Sequence, residues 1–118
     1  MGRRSSGTLV PAAATEFAAR LGRERASPVR AAMAASLRRL PNPEPAVLAA
    51  VRTQLLQEVD ASARLDLARC LGRHLDDPPC EAALRAVFAR ETLPQLRREI
   101  GEMLARLDTA RALAARRR

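Results

Sequence analysis

Residues 60 to 75 read D-A-S-A-R-L-D-L-A-R-C-L-G-R-H-L, and two other stretches repeat their pattern. With Arg64 at position zero, Arg30 lies 34 residues before it and Arg97 lies 33 after it. Position three is large and apolar in each copy (Met33, Leu67, Ile100), position four is small (Ala34, Ala68, Gly101), and position seven is leucine (Leu37, Leu71, Leu104). Position nine is arginine throughout (Arg39, Arg73, Arg106). Positions three, seven and ten share one face at 3.6 residues per turn, so one amphipathic helix is written three times at a period typical of stacked helical pairs. The small residues could coincide by composition in an alanine-rich chain; the leucine column is harder to explain that way. The fold class expected is all-α, a short α-solenoid (superhelix) of stacked antiparallel helix hairpins with about three repeats.

The segments between the copies read as partner helices. Thr15 is expected to cap a helix running to about Arg25 that buries Phe17, Ala18 and Leu21, and Ser27 to cap the first copy, Pro28 to Leu40. Glu44 to Glu58 should bury Leu48, Val51, Leu55 and Val59, and Cys80 to Arg90 should present Leu84, Val87 and Phe88. Leu48 and Val51 recur at Leu84 and Val87, 36 residues on. Asp60 or Ser62 starts the central copy, and Thr92 is expected to cap the last, Leu93 to Leu107. Asp108-Thr109 then reads as the start of a fraying terminal helix.

The domains expected are a flexible arm over residues 1–14, the repeat domain over 15–108 and an Arg-rich helix or tail over 109–118. The arm lacks the apolar run of an export signal, and it reads either as native or as a vector-derived leader. Gly2 with Ser6 fits a loose myristoylation pattern, which a bacterial origin would make accidental.

Composition supports helices. Only Phe17 and Phe88 are aromatic, so the core must be built from Leu, Val, Ala and Met, which suits closely packed helices better than a sheet. All 21 basic residues are arginine, a bias that fits a GC-rich, bacterial genome. The net charge of +8 suggests a polyanion partner until it is divided along the chain. Residues 26–108 carry twelve Arg against eleven acids, a net +1, and the excess sits in the two ends. Cys70 and Cys80, flanked by apolar neighbours, read as buried thiols, with a disulfide as the alternative. No membrane-spanning run or export signal is present, so the expected location is cytoplasmic.

The turn and helix start at 26–30 (A-S-P-V-R) and 60–64 (D-A-S-A-R), with A-R-C-L-G-R-H-L at 68–75, resemble the HEAT-repeat family, particularly its short bacterial, phycobilisome-lyase-like form. The likeness covers roughly residues 26–107; the third copy, L-P-Q-L-R at 93–97, lacks the turn Asp, as does the first. The resemblance implies a curved stack whose second helices line the concave face and which serves as a binding scaffold. It also implies structural roles for Asp60, Arg30, Arg64 and Arg97, bonded to backbone and to neighbouring repeats, beside the buried Leu37, Leu71 and Leu104.

The candidate partner-binding residues are Arg39, Arg73 and Arg106, with Arg69. Stacked in register they would form a guanidinium stripe for carboxylates or phosphates; read blandly, they are a solvated face near helix ends. His74 replaces the leucine of position ten and reads as a partly buried residue with one hydrogen bond. No nucleophile motif, phosphate loop or metal-ligand spacing occurs, so no catalytic residue, cofactor or metal is expected. The function expected is a non-enzymatic adaptor binding another protein through the concave face or an end of the stack, as a monomer or as a homodimer through a terminal face. The alternative is a nucleic-acid binder working through its Arg-rich surface and tails, which the near-neutral centre and the lack of stacking aromatics disfavour.

Overall fold

The computed structural model describes residues 11–117, and for 11 and 12 the backbone alone. Among the described residues the chain forms six helices and no strand: α1 (Pro11–Leu21), α2 (Ser27–Leu37), α3 (Pro45–Gln57), α4 (Ala61–Gly72), α5 (Pro78–Arg90) and α6 (Pro94–Arg116). Proline stands in the first turn of α2, α3, α5 and α6, where its missing N–H has no helical partner to lose.

Several expected boundaries move. α1 begins at Pro11, four residues before Thr15, so residues 11–14 belong to a helix; the rest of the expected arm, residues 1–10, lies outside the described residues. No helix begins at Asp108-Thr109: α6 runs unbroken to Arg116, because Asp108 turns outward to Arg85 instead of capping. Val59 is 79% exposed, because α3 stops at Gln57 and the buried stripe stops with it. Ser27 and Thr92 do not cap either; the cap positions of α2 and α6 are Ala26 and Leu93, and neither makes a side-chain cap bond. Asp60 does cap α4, accepting from the Ala63 N–H at 2.9 Å.

The helices pack in a definite order. α1 lies against α2, α3 against α4, and α5 against α6; α1, α3 and α5 follow one another side by side, as do α2, α4 and α6. No contact joins α1 to α5 or α2 to α6, so neither row closes on itself. The core runs between the rows, where Leu21, Leu37, Val47, Val51, Leu55, Leu67, Leu71, Leu84 and Ile100 are fully buried and Leu104 is 5% exposed.

Burial along α2, α4 and α6 follows the sequence positions. At position minus one, Ala63 and Leu96 are buried against the preceding pair, whereas Val29, with no preceding pair among the described residues, is 45% exposed. Toward the following pair, Ala31, Leu65, Ala35 and Arg69 are half-buried, whereas Arg98 and Glu102, at the same positions of α6, are exposed. Each side of the row is thus dry where a neighbour covers it and open where none does.

Candidate functional site

The most constructed polar site is the turn between α3 and α4. The chain leaves α3 extended at Glu58 and enters α4 at Asp60, and the Glu58 carboxylate lies wholly inside, with no side-chain exposure. Arg30 of α2 reaches it with Nε at 2.9 Å and Nη2 at 3.0 Å. Gln54 donates at 2.8 Å, and the backbone N–H groups of Val59 and Asp60 donate at 3.1 and 2.9 Å. Glu58 therefore serves the free N–H groups ahead of α4, close to the positive end of the helix dipole, and binds the preceding helix pair as well.

Burial works to raise the Glu58 carboxyl, but donation by Arg30, by the Asp60 N–H and by Gln54 outweighs it and holds the group below its ordinary range. Arg30 is held charged in turn, first by its bond to Glu58. Its Nη1 also donates to the carbonyls of Glu24 and Arg25, both at 3.0 Å, so one guanidinium ties two successive turns together.

The arrangement recurs one pair further on. Arg64 lies 3.2 Å from Glu91 through Nε and donates to it through Nη2 at 3.3 Å, while Nη1 donates to the Val59 carbonyl at 2.8 Å. Glu91 accepts from the N–H groups of Thr92 and Leu93 at 3.2 and 3.0 Å. At the first turn Glu24 accepts from the Ala26 N–H at 3.0 Å. Glu24, Glu58 and Glu91 each stand six residues before the repeated arginine, a column with the spacing of the arginines themselves. They are the residues that sequence reasoning missed.

The third arginine differs. Arg97 donates to the carbonyls of Phe88 and Glu91 and stacks on the Phe88 ring at 4.2 Å from its centre, with no carboxylate partner among the described residues. Room for that ring comes from Gly101, where a Cβ would stand 3.0 Å from Phe88 Cε1.

The expected arginine stripe does not present three equivalent groups. Arg39 lies in the turn beyond α2 and is exposed; Arg73 is the C-cap of α4 and donates to the Arg38 carbonyl at 2.8 Å; Arg106 is exposed midway along α6. Arg69 is committed to Glu99 of α6 through two bonds of 3.0 and 2.9 Å. With Arg38 at 3.1 Å from Asp66, the row of second helices neutralises its own charge across each junction.

Cys70 and Cys80 are free and buried, and both thiols are pushed up to about 11, by burial first. Protonated at neutral pH, they are poor nucleophiles. His74 lies on the rim of a hollow of about 240 Å³ with Arg52, Asp76 and Asp77; its backbone N–H donates to Leu71, but its imidazole makes none of the expected bonds among the described residues. No group of three or more His, Cys, Asp or Glu side chains is placed to hold a metal ion, and no helix is long and apolar enough to cross a membrane, both among the described residues. Comparison with protein-family models, with curated proteins and with solved structures returns no match for this chain.

Proposed function

We propose that the chain is a short HEAT-like α-solenoid of three helix pairs, acting as a non-catalytic scaffold that binds another protein through an end of its stack. The observation that carries this reading is the pattern of cover along α2, α4 and α6: positions minus one and plus one are covered where a neighbouring pair lies and exposed where none lies among the described residues. The Arg–Glu clasps support it, since they join successive pairs through equivalent residues. An end face suits a protein partner better than the row of second helices, because Arg69, Arg38, Asp66 and Glu99 already pair there.

The test is copurification from the native host with the partner identified, repeated with two variants. Val29→Asp at an end should lose the partner, and Arg39→Glu with Arg106→Glu on the row of second helices should retain it. The opposite result would move the binding face to the row. Tight, steeply salt-dependent binding of random duplex DNA that survives removal of residues 109–118 would replace the protein partner with nucleic acid.

A further inference from the structure

We propose that the occupant of the end face is a second copy of this chain, stacked head to tail, with Arg97 of one copy clasping Glu24 of the next. The inference rests on the stacked-repeat reading and names the partner within it.

Each junction inside the chain uses an arginine of one pair and a glutamate of the next: Arg30 with Glu58, then Arg64 with Glu91. Continued by one step, the ladder pairs Arg97 with a glutamate lying six residues before the next copy of the arginine. Glu24 holds that position in the first copy. It already makes the equivalent backbone bond, to Ala26, as Glu58 does to Asp60 and Glu91 to Leu93. What it lacks among the described residues is the cation that the preceding pair supplies to the other two. The two ends of the ladder are complementary to each other and not to themselves.

A second contact is present at the junction of the second and third pairs; at the first junction Gln57 stands in its place and donates to Gln54. Arg90, just before Glu91, reaches back across the junction to the Leu56 carbonyl. Arg23 stands just before Glu24 in the same relation, and among the described residues its guanidinium makes a 3.4 Å bond to the Ala19 carbonyl of α1. In the next junction it would meet the carbonyl of Ala89, which holds the place of Leu56.

Along the row of second helices the paired positions raise no charge conflict; beside Glu24, Arg25 stands where Val59 and Thr92 stand at the internal turns, a second cation that the clasp must accommodate. Where Arg69 meets Glu99 inside the chain, Glu102 would meet Ala32, and where Arg38 meets Asp66, Ala105 would meet the same small residue. Leu65 borders Leu96 in a hollow of about 290 Å³ at the internal junction. At the new one Arg98 would lay its aliphatic stem over the exposed Val29. A contact between unlike faces gives open chains of copies or, where its rotation closes, rings, and not a symmetric pair.

Sedimentation velocity of the full chain over a wide concentration range tests this. The expected result is mass that grows past the dimer with concentration and falls with added salt. Arg97→Glu alone and Glu24→Arg alone should each raise the concentration needed by roughly tenfold or more, because each places like charges at the junction. Mixing the two variants, or combining both changes in one chain, should restore association. A chain that stays monomeric throughout overturns the proposal, and so does a discrete dimer indifferent to Glu24→Arg, which would mean a symmetric contact. Thermal melting of Arg64→Glu separates the two levels of argument. If Arg64→Glu melts lower while the parent chain stays monomeric, only the head-to-tail contact fails; if its melt is unmoved, the stacked reading fails with it.

Discussion

Arg30→Ala tests the physical account of the clasp most directly. The substitution leaves the Glu58 carboxylate buried with three donors, Gln54 and the N–H groups of Val59 and Asp60, and without a cation. Removing one partner of a buried ion pair costs about 3 kcal/mol or more, since the remaining charge must be held in a medium that solvates it poorly. Small domains are stable by only about 5–15 kcal/mol, so the loss is a large share of the total. At roughly 4 °C per kcal/mol for a chain of this size, the midpoint should fall by about 12 °C. Far-UV circular dichroism in urea is the suitable assay, because the chain has no Trp or Tyr to report by fluorescence.

The pH dependence sharpens the test. Glu58 is held below its ordinary carboxylate range when folded, so its clasp contributes stability that is fully present above the unfolded pKa and is lost as pH falls through the folded pKa. Arg30→Ala removes most of that contribution. The stability difference between parent and variant should therefore be large near about pH 7 and shrink as pH falls through the carboxylate range and Glu58 takes up its proton. Glu58→Gln should cost a similar amount at about pH 7, because either orientation of the amide turns its NH₂ toward a donor. A difference below about 0.5 kcal/mol for Arg30→Ala, or one that does not change with pH, would refute the reasoning.

Other substitutions give separate checks. Gly101→Ala brings a Cβ to 3.0 Å from the Phe88 ring, so crowding of about 1–3 kcal/mol opposes a helix-propensity gain of about 1 kcal/mol and the variant should be slightly less stable in urea. Adding Phe88→Leu recreates the Leu/Ala combination of the first two copies, and a double-mutant cycle should show a favourable coupling of about 1 kcal/mol. Arg111→Ala releases Glu81, whose carboxyl Arg111 first and Arg85 second hold down to about 2; amide exchange should then accelerate over residues 109–117, where every side chain is exposed, with the core unaffected. Cys70 and Cys80 should resist alkylation in the native state at neutral pH and react on unfolding, which timed mass spectrometry would follow.

How far the sequence could be read depended on the reach of each interaction. The apolar columns were legible because burial at positions three and seven is imposed by the helix itself, and Met33, Leu67, Ile100, Leu37, Leu71 and Leu104 are all buried. Caps were misread because a serine or threonine shortly before a proline is a local signal without a register: the cap positions fall on Ala26 and Leu93, each one residue from the expected Ser27 and Thr92. The clasps were half legible. The arginine column was seen, but its partners lie 27 and 28 residues away, and only the side-by-side order of α2 and α4 brings them into reach. Arg69 and Arg73 looked available for the same reason, as their acceptors belong to other helices. Val59 was lost to the end of α3, which periodicity continues through.

The departures from the repeat are themselves ordered. The central copy, covered on both sides, carries the full set: the capping Asp60, an arginine clasped to the next glutamate, and a glutamate clasped by the previous arginine. The first copy replaces the capping Asp with Ala26 and keeps its glutamate without an arginine bonded to its carboxylate among the described residues; the third replaces Leu and Ala with Phe88 and Gly101 and turns its arginine onto the ring. A guanidinium with no carboxylate to clasp is best kept charged and partly sheltered, and an aromatic face with carbonyl acceptors beside it does both. Because those contacts are made at the surface, they are weak enough to be exchanged for a carboxylate delivered from outside. On the head-to-tail proposal, Arg97 is held at rest for a junction that no described residue completes. A contact that held Arg97 firmly would compete with the junction, and Phe88→Leu would then strengthen head-to-tail association by about a hundredfold or more. An exposed contact between a guanidinium and a ring is worth about 0.5–1 kcal/mol, so Phe88→Leu should strengthen association by no more than about fivefold at equal concentration, and the larger gain would refute the weak resting contact.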